Sequence, residues 1–446
     1  MAGEPEIQLS RLLDERGVSS FQIRVLAWSI LIAIIDGYDI AAISFAAPHL
    51  VSAWGVERGA LGPVLSASNF GFLFGAAILG WFGDRYGRKA ALITASLLFG
   101  VFTFAAAYAT DLTQLFWLRL VAGLGIGGVI PNLVAINAES APRSLRATLA
   151  IVAMVGVPLG GTAAGFAAAA LIPHFGWPIL FKIGGIVPIV VALAAIVGMP
   201  ESIKYMALHD SRGERMQRLV AAIRPDLPAD ARFVIEDEKQ SPSPNPVYLF
   251  RDGLWLITPL SWLMFALNLM GFHFLIAWTP TLLMATKLPP ATAALAGGLL
   301  QGGGAVGALA LSAWVQRYRF LGLSLLFVLA VPLVGSIGYA ASGSAVLAAT
   351  FCAGFLVVGI QIGINAVGAM VYPTSLRANG SGWQLGIGRL GSIVGPLVGG
   401  LFVGLPVEQL YMWSALPFAG GAITCFVIHR LNEARLAANP ELRLAQ

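Results

Sequence analysis

Four ionisable side chains lie deep within apolar stretches of the sequence, where a charge is costly. Asp36 and Asp39 are three residues apart in Asp36-Gly37-Tyr38-Asp39, so on a helix they occupy neighbouring parts of one face. A carboxylate at the centre of a bilayer costs about 2.5 kcal/mol or more, which makes such residues functional candidates. The pair is predicted to carry protons, because burial favours the neutral carboxyl. The alternative is a structural ion pair.

Arg119 and Arg389 are the basic members of this group. At about 1.5 Å of helix per residue, Arg119 and Asp39 lie at similar depth and could pair. Arg389 lies near the middle of its apolar stretch, at about the depth of Asp36. A guanidinium there suits a carboxylate ligand, because its planar fork donates two parallel hydrogen bonds. For each arginine, the alternative is a structural partnership with a buried aspartate.

The composition identifies the solvent around these residues. The chain has 446 residues, of which 57% are hydrophobic and 11% charged, and its mean hydropathy is +0.80. A soluble protein carries about 25% charged residues, so lipid must surround much of this chain. The basic residues behind the net charge of +5 lie between apolar stretches. We therefore attribute them to orientation in a bilayer and expect no nucleic-acid partner.

A membrane-spanning helix needs about 20 mostly apolar residues, and the sequence contains twelve such stretches. They are predicted at Gln22–Ala47, Leu61–Phe82, Ala90–Ala109, Leu115–Asn137, Thr148–Ile172, Ile179–Met199, Leu254–Ala277, Ala291–Val315, Leu321–Ala341, Ala345–Met370, Gly380–Phe402 and Leu410–Ile428.

The loop charges predict the orientation of these spans. Lys and Arg collect at the termini and in the even-numbered loops, whereas the other side holds little more than Arg58 and Lys287. Because cytoplasmic loops are enriched in Lys and Arg, both termini are predicted to be cytoplasmic, in an inner membrane.

The chain divides into two halves around a polar segment. We predict a cytoplasmic N-terminal segment, a first six-helix bundle, a central cytoplasmic loop with a short amphipathic helix or two and an extended linker, a second six-helix bundle and a cytoplasmic tail. The corresponding ranges are 1–21, 22–199, 200–252, 253–430 and 431–446.

Two motifs recur at one offset and indicate an internal duplication. Pro142–Ala147 recurs as Pro373–Ala378, 231 residues later, and Asp84–Tyr86 recurs in weakened form as Gln316–Tyr318, 232 residues later. Transporters built from such repeats place the substrate site between the repeats, near the bilayer midplane. The sequence therefore predicts an all-α membrane protein of two pseudo-symmetric six-helix bundles.

The loop after the second span is Gly80-Trp81-Phe82-Gly83-Asp84-Arg85-Tyr86-Gly87-Arg88-Lys89. Its glycines are expected to allow close helix approach and a sharp turn. This pattern resembles the loop signature of the major facilitator superfamily, which implies that it is a conformational latch; the alternative is a basic loop that only sets topology. The latch candidates are Gly80, Asp84, Arg85, Gly87, Arg88, Lys89, Glu139, Arg146, Arg317 and Arg377.

A narrower resemblance covers the chain from about Leu13 to Asn432. Asp36–Asp39, Arg119–Gly125 with Pro131-Asn132, Trp278–Leu283 and Leu385–Ser392 look like the aromatic acid:proton symporters of that superfamily. The resemblance implies proton-coupled uptake of a benzoate-like carboxylate by the twelve-helix fold. The sequence departs from the pattern at Gln316, where an acidic residue is usual, and at His273, where we expect an aromatic residue such as Tyr.

Other polar and aromatic side chains within the spans could line a cavity. With Arg389 and Arg119, the substrate-binding candidates are Tyr38, His273, Trp278, Gln361, Asn365 and Trp383. For any one aromatic residue the alternative is packing within the bundle. The expected partners are a small aromatic carboxylate, a proton and the lipid bilayer, and the chain is expected to be a monomer without cofactor or metal.

Three rival functions remain open at this point. The first is a porter or exporter of another small organic anion or sugar, although a sugar porter would carry more Gln and Asn in its cavity helices. The second is an aromatic-acid chemoreceptor, although the chain has no large soluble signalling domain. The third is an intramembrane enzyme, which we do not expect because the sequence contains neither a catalytic constellation nor a Gly-Lys-Ser or Gly-Lys-Thr phosphate loop.

Overall fold

The computed structural model is a bundle of long helices. It describes residues 6–8, 14, 18–142, 144–209, 232–234, 246–251, 253–340, 342–373 and 376–438. The helices are α1 Ser20–Trp54, α2 Leu61–Tyr86, α3 Arg88–Ala106, α4 Leu112–Ser140, α5 Arg146–Met154, α6 Gly156–Phe175, α7 Pro178–Gly198, α8 Ile203–His209, α9 Ile257–Ala285, α10 Pro290–Ala310, α11 Ser312–Ser336, α12 Gly343–Met370, α13 Arg377–Phe402, α14 Val407–Ser414 and α15 Leu416–Ala438.

Twelve spans in the described residues are long and apolar enough to cross a membrane, with α5 and α6 forming one span and α14 and α15 another. The predicted all-α class with twelve membrane-spanning helices is confirmed. The first span is longer than predicted, because local signals set its ends. Ser19 and Gln22 form a capping box before α1, and Gly55 in the left-handed conformation ends it.

The central segment is described in part. It contains α8, and its strand Arg232–Val234 pairs in parallel with Glu6–Gln8 near the N-terminus, a contact that the sequence did not predict. The predicted linker lies mostly outside the described residues. Helix α7 ends at Gly198 and α9 begins at Ile257, so the predicted central loop 200–252 falls between these two helices. The division of the chain into two bundles stays a prediction.

The two halves repeat one local structure at the recurring motif. The Leu145 N–H donates to the Pro142 carbonyl at 2.9 Å, and the Leu376 N–H donates to the Pro373 carbonyl at the same distance. The next residue begins a helix in each case, α5 or α13. This equivalence supports the internal duplication that the sequence indicates.

The halves pack against each other through three helix pairs: α1 with α9, α2 with α13, and α6 with α10. We call the membrane face with the turn between α2 and α3 the Arg88 face, and the opposite face the Arg58 face. Near the Arg58 face a Cβ on Gly59 would lie 2.9 Å from the Gly400 carbonyl. Deeper in the bundle, the Asn69 side-chain amide donates to the Ser392 carbonyl at 3.0 Å. These contacts join the halves from the Arg58 face to mid-depth.

Candidate functional site

Asp39 and Arg119 form an ion pair between α1 and α4. Arg119 Nη1 lies 3.0 Å from Asp39 Oδ1, Nη2 lies 2.9 Å from Oδ2, and both side chains are fully buried. The Thr103 hydroxyl also donates to Asp39 Oδ1 at 2.6 Å. The pairing expected from depth is therefore present, and Thr103 is a member that the sequence analysis missed. Because the guanidinium already has a bidentate carboxylate, this site carries little net charge.

Asp36, one helical turn earlier in α1, has a different environment. It is fully buried, and both of its carboxyl oxygens lack a hydrogen-bond partner among the described residues. Asp39 and Arg389 lie within electrostatic range of Asp36. No direct ion pair joins Asp36 to Arg389 in the described structure. An unpaired buried carboxylate is expensive, and uptake of a proton relieves that cost.

Gly37 sets the position of this part of α1. A Cβ on Gly37 would overlap the Val157 carbonyl, so the backbones of α1 and α6 touch here. Gly37 lies within a continuous helix. Gly37 therefore serves close packing of the two helices and does not interrupt α1. This contact packs the part of α1 that carries Asp36 closely against α6, and Asp36 is shielded from water.

Arg389 lies at the boundary between the halves. Its Cζ atom is 3.9 Å from the ring centroid of Phe72 on α2, and its Nε is buried without a hydrogen-bond partner. A cavity of about 30 Å³ adjoins it, lined by both halves, with Arg389, His273, Phe72, Asn69 and Ser68 in its wall. This volume holds no more than about two water molecules, so a larger ligand requires the halves to move apart. Phe72 and Arg389 are far apart in the sequence and meet only in the folded protein. No sequence signal marked Phe72 as a member of the site.

His273 on α9 lines the same cavity. It is 7% exposed, and its Nδ1 lies 3.0 Å from the Leu269 carbonyl one turn earlier. The structure thus brings His273 and Arg389 together, as a shared substrate site requires.

The remaining binding candidates are dispersed. Trp278 is fully buried and donates from Nε1 to the Pro396 carbonyl at 3.0 Å, so it packs α9 against α13. Tyr38 is 9% exposed and its hydroxyl is buried without a partner. Gln361 accepts from Asn268 at 2.7 Å, Asn365 is exposed, and Trp383 stacks on Trp262 with 6.2 Å between ring centroids. The cavity wall beside Arg389 contains none of these five; their role in binding stays a prediction.

The loop after α2 forms a charge cluster at the Arg88 face. Arg88 contacts Asp84 at 2.6 Å and Glu139 at 3.0 Å, and the Ser202 hydroxyl donates to Glu139. Gly87 has a φ of 101°, which permits the sharp turn into α3. A Cβ on Gly80 would meet no atom within 4 Å. The expectation of close approach is therefore wrong for Gly80 in this conformation.

Glu201 completes the cluster at the start of α3. Its carboxylate accepts from the Lys89 N–H at 3.0 Å and from the Ser202 N–H at 2.8 Å. Burial is the largest influence on the Glu201 carboxyl and raises its pKa, which these backbone donors offset in part. All these contacts join residues between 84 and 202, so none of them reaches the second bundle.

The other latch candidates have varied surroundings. The Arg85 guanidinium lies over the Trp81 ring, that of Arg317 lies over the Tyr318 ring, and Arg146 Nε donates to the Ala141 carbonyl at 3.4 Å. The Arg377 Nε is buried without a partner. A latch function of the whole set stays a prediction.

Known proteins resemble the chain over most of its length. It is 35% identical to the 4-hydroxybenzoate transporter PcaK of Pseudomonas aeruginosa, over 93% of this chain and 94% of that protein. It is 32% identical to the gallate transporter of Pseudomonas putida, over 97% of each chain. The xylose transporter XylE from E. coli, in a partially occluded inward-open conformation, has the same fold, with a TM-score of 0.72 and 15% identity over 92% of this chain and 98% of that one.

The family follows from the sequence and the fold together. Residues 29–396, most of the chain, match the Major Facilitator Superfamily. The family match, the relatives named as transporters and the shared fold are those of membrane transporters and not of enzymes. The chain belongs to the Major Facilitator Superfamily.

Proposed function

We propose that this protein imports an aromatic carboxylate of the hydroxybenzoate type together with a proton. The observation that carries the proposal is that two ionisable groups lack an ion-pair partner among the described residues: the Arg389 guanidinium at the boundary between the halves, and the buried Asp36 carboxyl. The guanidinium suits an anionic substrate, and the carboxyl suits a proton. The similarity to proteins named as 4-hydroxybenzoate and gallate transporters supports the aromatic acid as substrate.

Arg389 is the proposed carboxylate clamp. In this conformation the Phe72 ring covers the guanidinium at 3.9 Å, and a ring face partly compensates a positive charge. Because Phe72 and Arg389 belong to opposite halves, separation of the halves widens the cavity and frees the guanidinium. A substrate carboxylate then replaces the ring with two charge-assisted hydrogen bonds.

Asp36 is the proposed proton carrier, and Asp39 has a different role. The bidentate contact with Arg119 gives the Asp39 carboxylate a direct positively charged partner. Asp36 has no such partner, so its charge is more costly and a proton binds there with greater benefit. The sequence predicts that both aspartates couple to protons; the contacts favour Asp36 for this task.

The proposed orientation places the Arg88 face and both termini in the cytoplasm, with the protein as a monomer in the inner membrane. The basic residues at that face support it, although Lys182 adds a third cation near the Arg58 face, over the Tyr108 ring. An impermeant thiol reagent should not label a cysteine placed at Leu208, which is 64% exposed in α8, until the cells are opened. Labelling in intact cells contradicts the orientation.

Cells that express the protein should accumulate labelled 4-hydroxybenzoate, and a protonophore should abolish the accumulation. Asp36→Asn should abolish uphill accumulation in proteoliposomes with an imposed pH gradient but retain exchange of internal for external substrate, because the amide cannot release a proton. Asp111→Asn is the matched control, since Asp111 caps α4 at an exposed position and Asn caps equally well. Uphill uptake by Asp36→Asn, or by the wild type without a proton gradient, contradicts the proposal.

Asp84→Asn should slow transport severalfold and change substrate affinity by less than about twofold. Asp84 lies at the Arg88 face, and its side chain is 68% exposed and pairs with Arg88. Its loss shifts a conformational equilibrium and removes no ligand contact. Initial uptake rates in proteoliposomes and calorimetry in detergent measure the two quantities. Glu57→Gln, at an exposed position near the other face, is the control. A large loss of affinity with an unchanged rate contradicts the latch assignment.

A further inference from the structure

His273 has a defined tautomer in this fold. Its Nδ1 lies 3.0 Å from the Leu269 carbonyl, and a carbonyl oxygen can only accept a hydrogen bond. The Nδ1 atom must therefore carry a proton and donate. In the neutral ring the other nitrogen, Nε2, is then an acceptor.

The surroundings favour the neutral ring. His273 is 7% exposed and lines the same small cavity as Arg389. A second ring proton would place two positive charges in one buried cavity, with no carboxylate in its wall. The cavity therefore combines a fixed cation with a neutral acceptor, the Nε2 atom of His273.

Two other polar side chains in the cavity wall are already engaged as donors. The Asn69 amide donates to the Ser392 carbonyl at 3.0 Å, and the Ser68 hydroxyl donates to the Arg119 carbonyl at 3.2 Å. A ligand that places its carboxylate on Arg389 thus meets an acceptor in His273, and a hydroxyl on the ligand can supply the matching donor.

We propose that His273 selects substrates that carry a phenolic hydroxyl, by accepting a hydrogen bond from it at Nε2. This inference rests on the proposed function and names the residue that recognises the hydroxyl of a hydroxybenzoate-type acid and so disfavours the unsubstituted acid. A site that leaves a buried acceptor unpaired discriminates against the ligand that lacks the donor. The expected preference is about tenfold or more.

The test measures binding by calorimetry in detergent for benzoate, its three monohydroxy isomers and its three monofluoro isomers. Fluorine resembles a hydroxyl in size but cannot donate. The wild type should bind at least one hydroxy isomer about tenfold more tightly than benzoate and than the matching fluoro isomer. Equal binding of hydroxy and fluoro isomers overturns the inference without any variant.

Variants assign the preference to His273. The ratio of hydroxybenzoate to benzoate affinity should fall towards one in His273→Phe and recover in part in His273→Gln, whose side-chain oxygen accepts. His174→Gln, at an exposed position in α6, should leave the ratio unchanged. A ratio that persists in His273→Phe overturns the inference and leaves the proposed function intact. A wild type that neither binds nor transports any of these acids contradicts the proposed function itself.

Discussion

Replacement of Arg389 by alanine is expected to weaken binding of the aromatic acid about a hundredfold and binding of its neutral amide less than about threefold. The clamp donates charge-assisted hydrogen bonds to a carboxylate, whose loss costs roughly 3 kcal/mol. The amide gains little from the positive charge, so its affinity depends mainly on the ring. Calorimetry in detergent with the acid and the amide measures both values.

Arg389→Lys refines this prediction. Lysine keeps the charge and loses the planar fork, so acid affinity should fall by roughly tenfold, between wild type and alanine. Arg58→Ala, at an exposed position near the opposite membrane face, is the control and should change neither affinity. An equal loss of acid and amide binding in Arg389→Ala removes the clamp role and makes Arg119 the better candidate.

Asp39→Asn is expected to cost about 3–5 kcal/mol of folding stability, because it leaves the fully buried Arg119 without its carboxylate. Asp36→Asn is the matched comparison in the same helix. It removes no ion pair, so the loss should be far smaller. Unfolding in mixed micelles, followed by circular dichroism, measures the difference between the two variants.

A double variant separates the ion pair from other effects. Asp39→Asn combined with Arg119→Gln removes both charges, so it should cost clearly less than the sum of the two single variants. Equal stability of Asp39→Asn and Asp36→Asn, or strict additivity in the double variant, shows that the pair does not stabilise the bundle in the manner proposed.

The sequence predicted much of the fold because the evidence for a span is local. Each stretch of about 20 apolar residues favours lipid by its own composition, whatever its neighbours in the fold. The predicted number of membrane-spanning helices, twelve, was therefore correct. The ends were less accurate. The first helix continues past the predicted end at Ala47 to Trp54, and a Gly55 cap ends it. A hydropathy window does not register such a cap.

The site could be predicted only in outline. Depth along each helix correctly matched Asp39 with Arg119, because equal depth is necessary for contact. Depth is not sufficient, however, since the rotation of each helix decides which side chains face each other. Asp36 and Arg389 share a depth, yet no direct ion pair joins them, and Phe72 covers the guanidinium. Trp278 likewise faces α13 and packs there.

By itself, the sequence determined the membrane class and the twelve spans, and it marked the four ionisable side chains within them. Each of these follows from the cost of placing particular side chains in lipid, which needs no knowledge of neighbours. Only the tertiary structure decided which charge is paired and which is left uncompensated. That choice depends on close backbone contacts such as Gly37 against Val157, because the distance and rotation between two helices come from the packing of residues far apart in the chain.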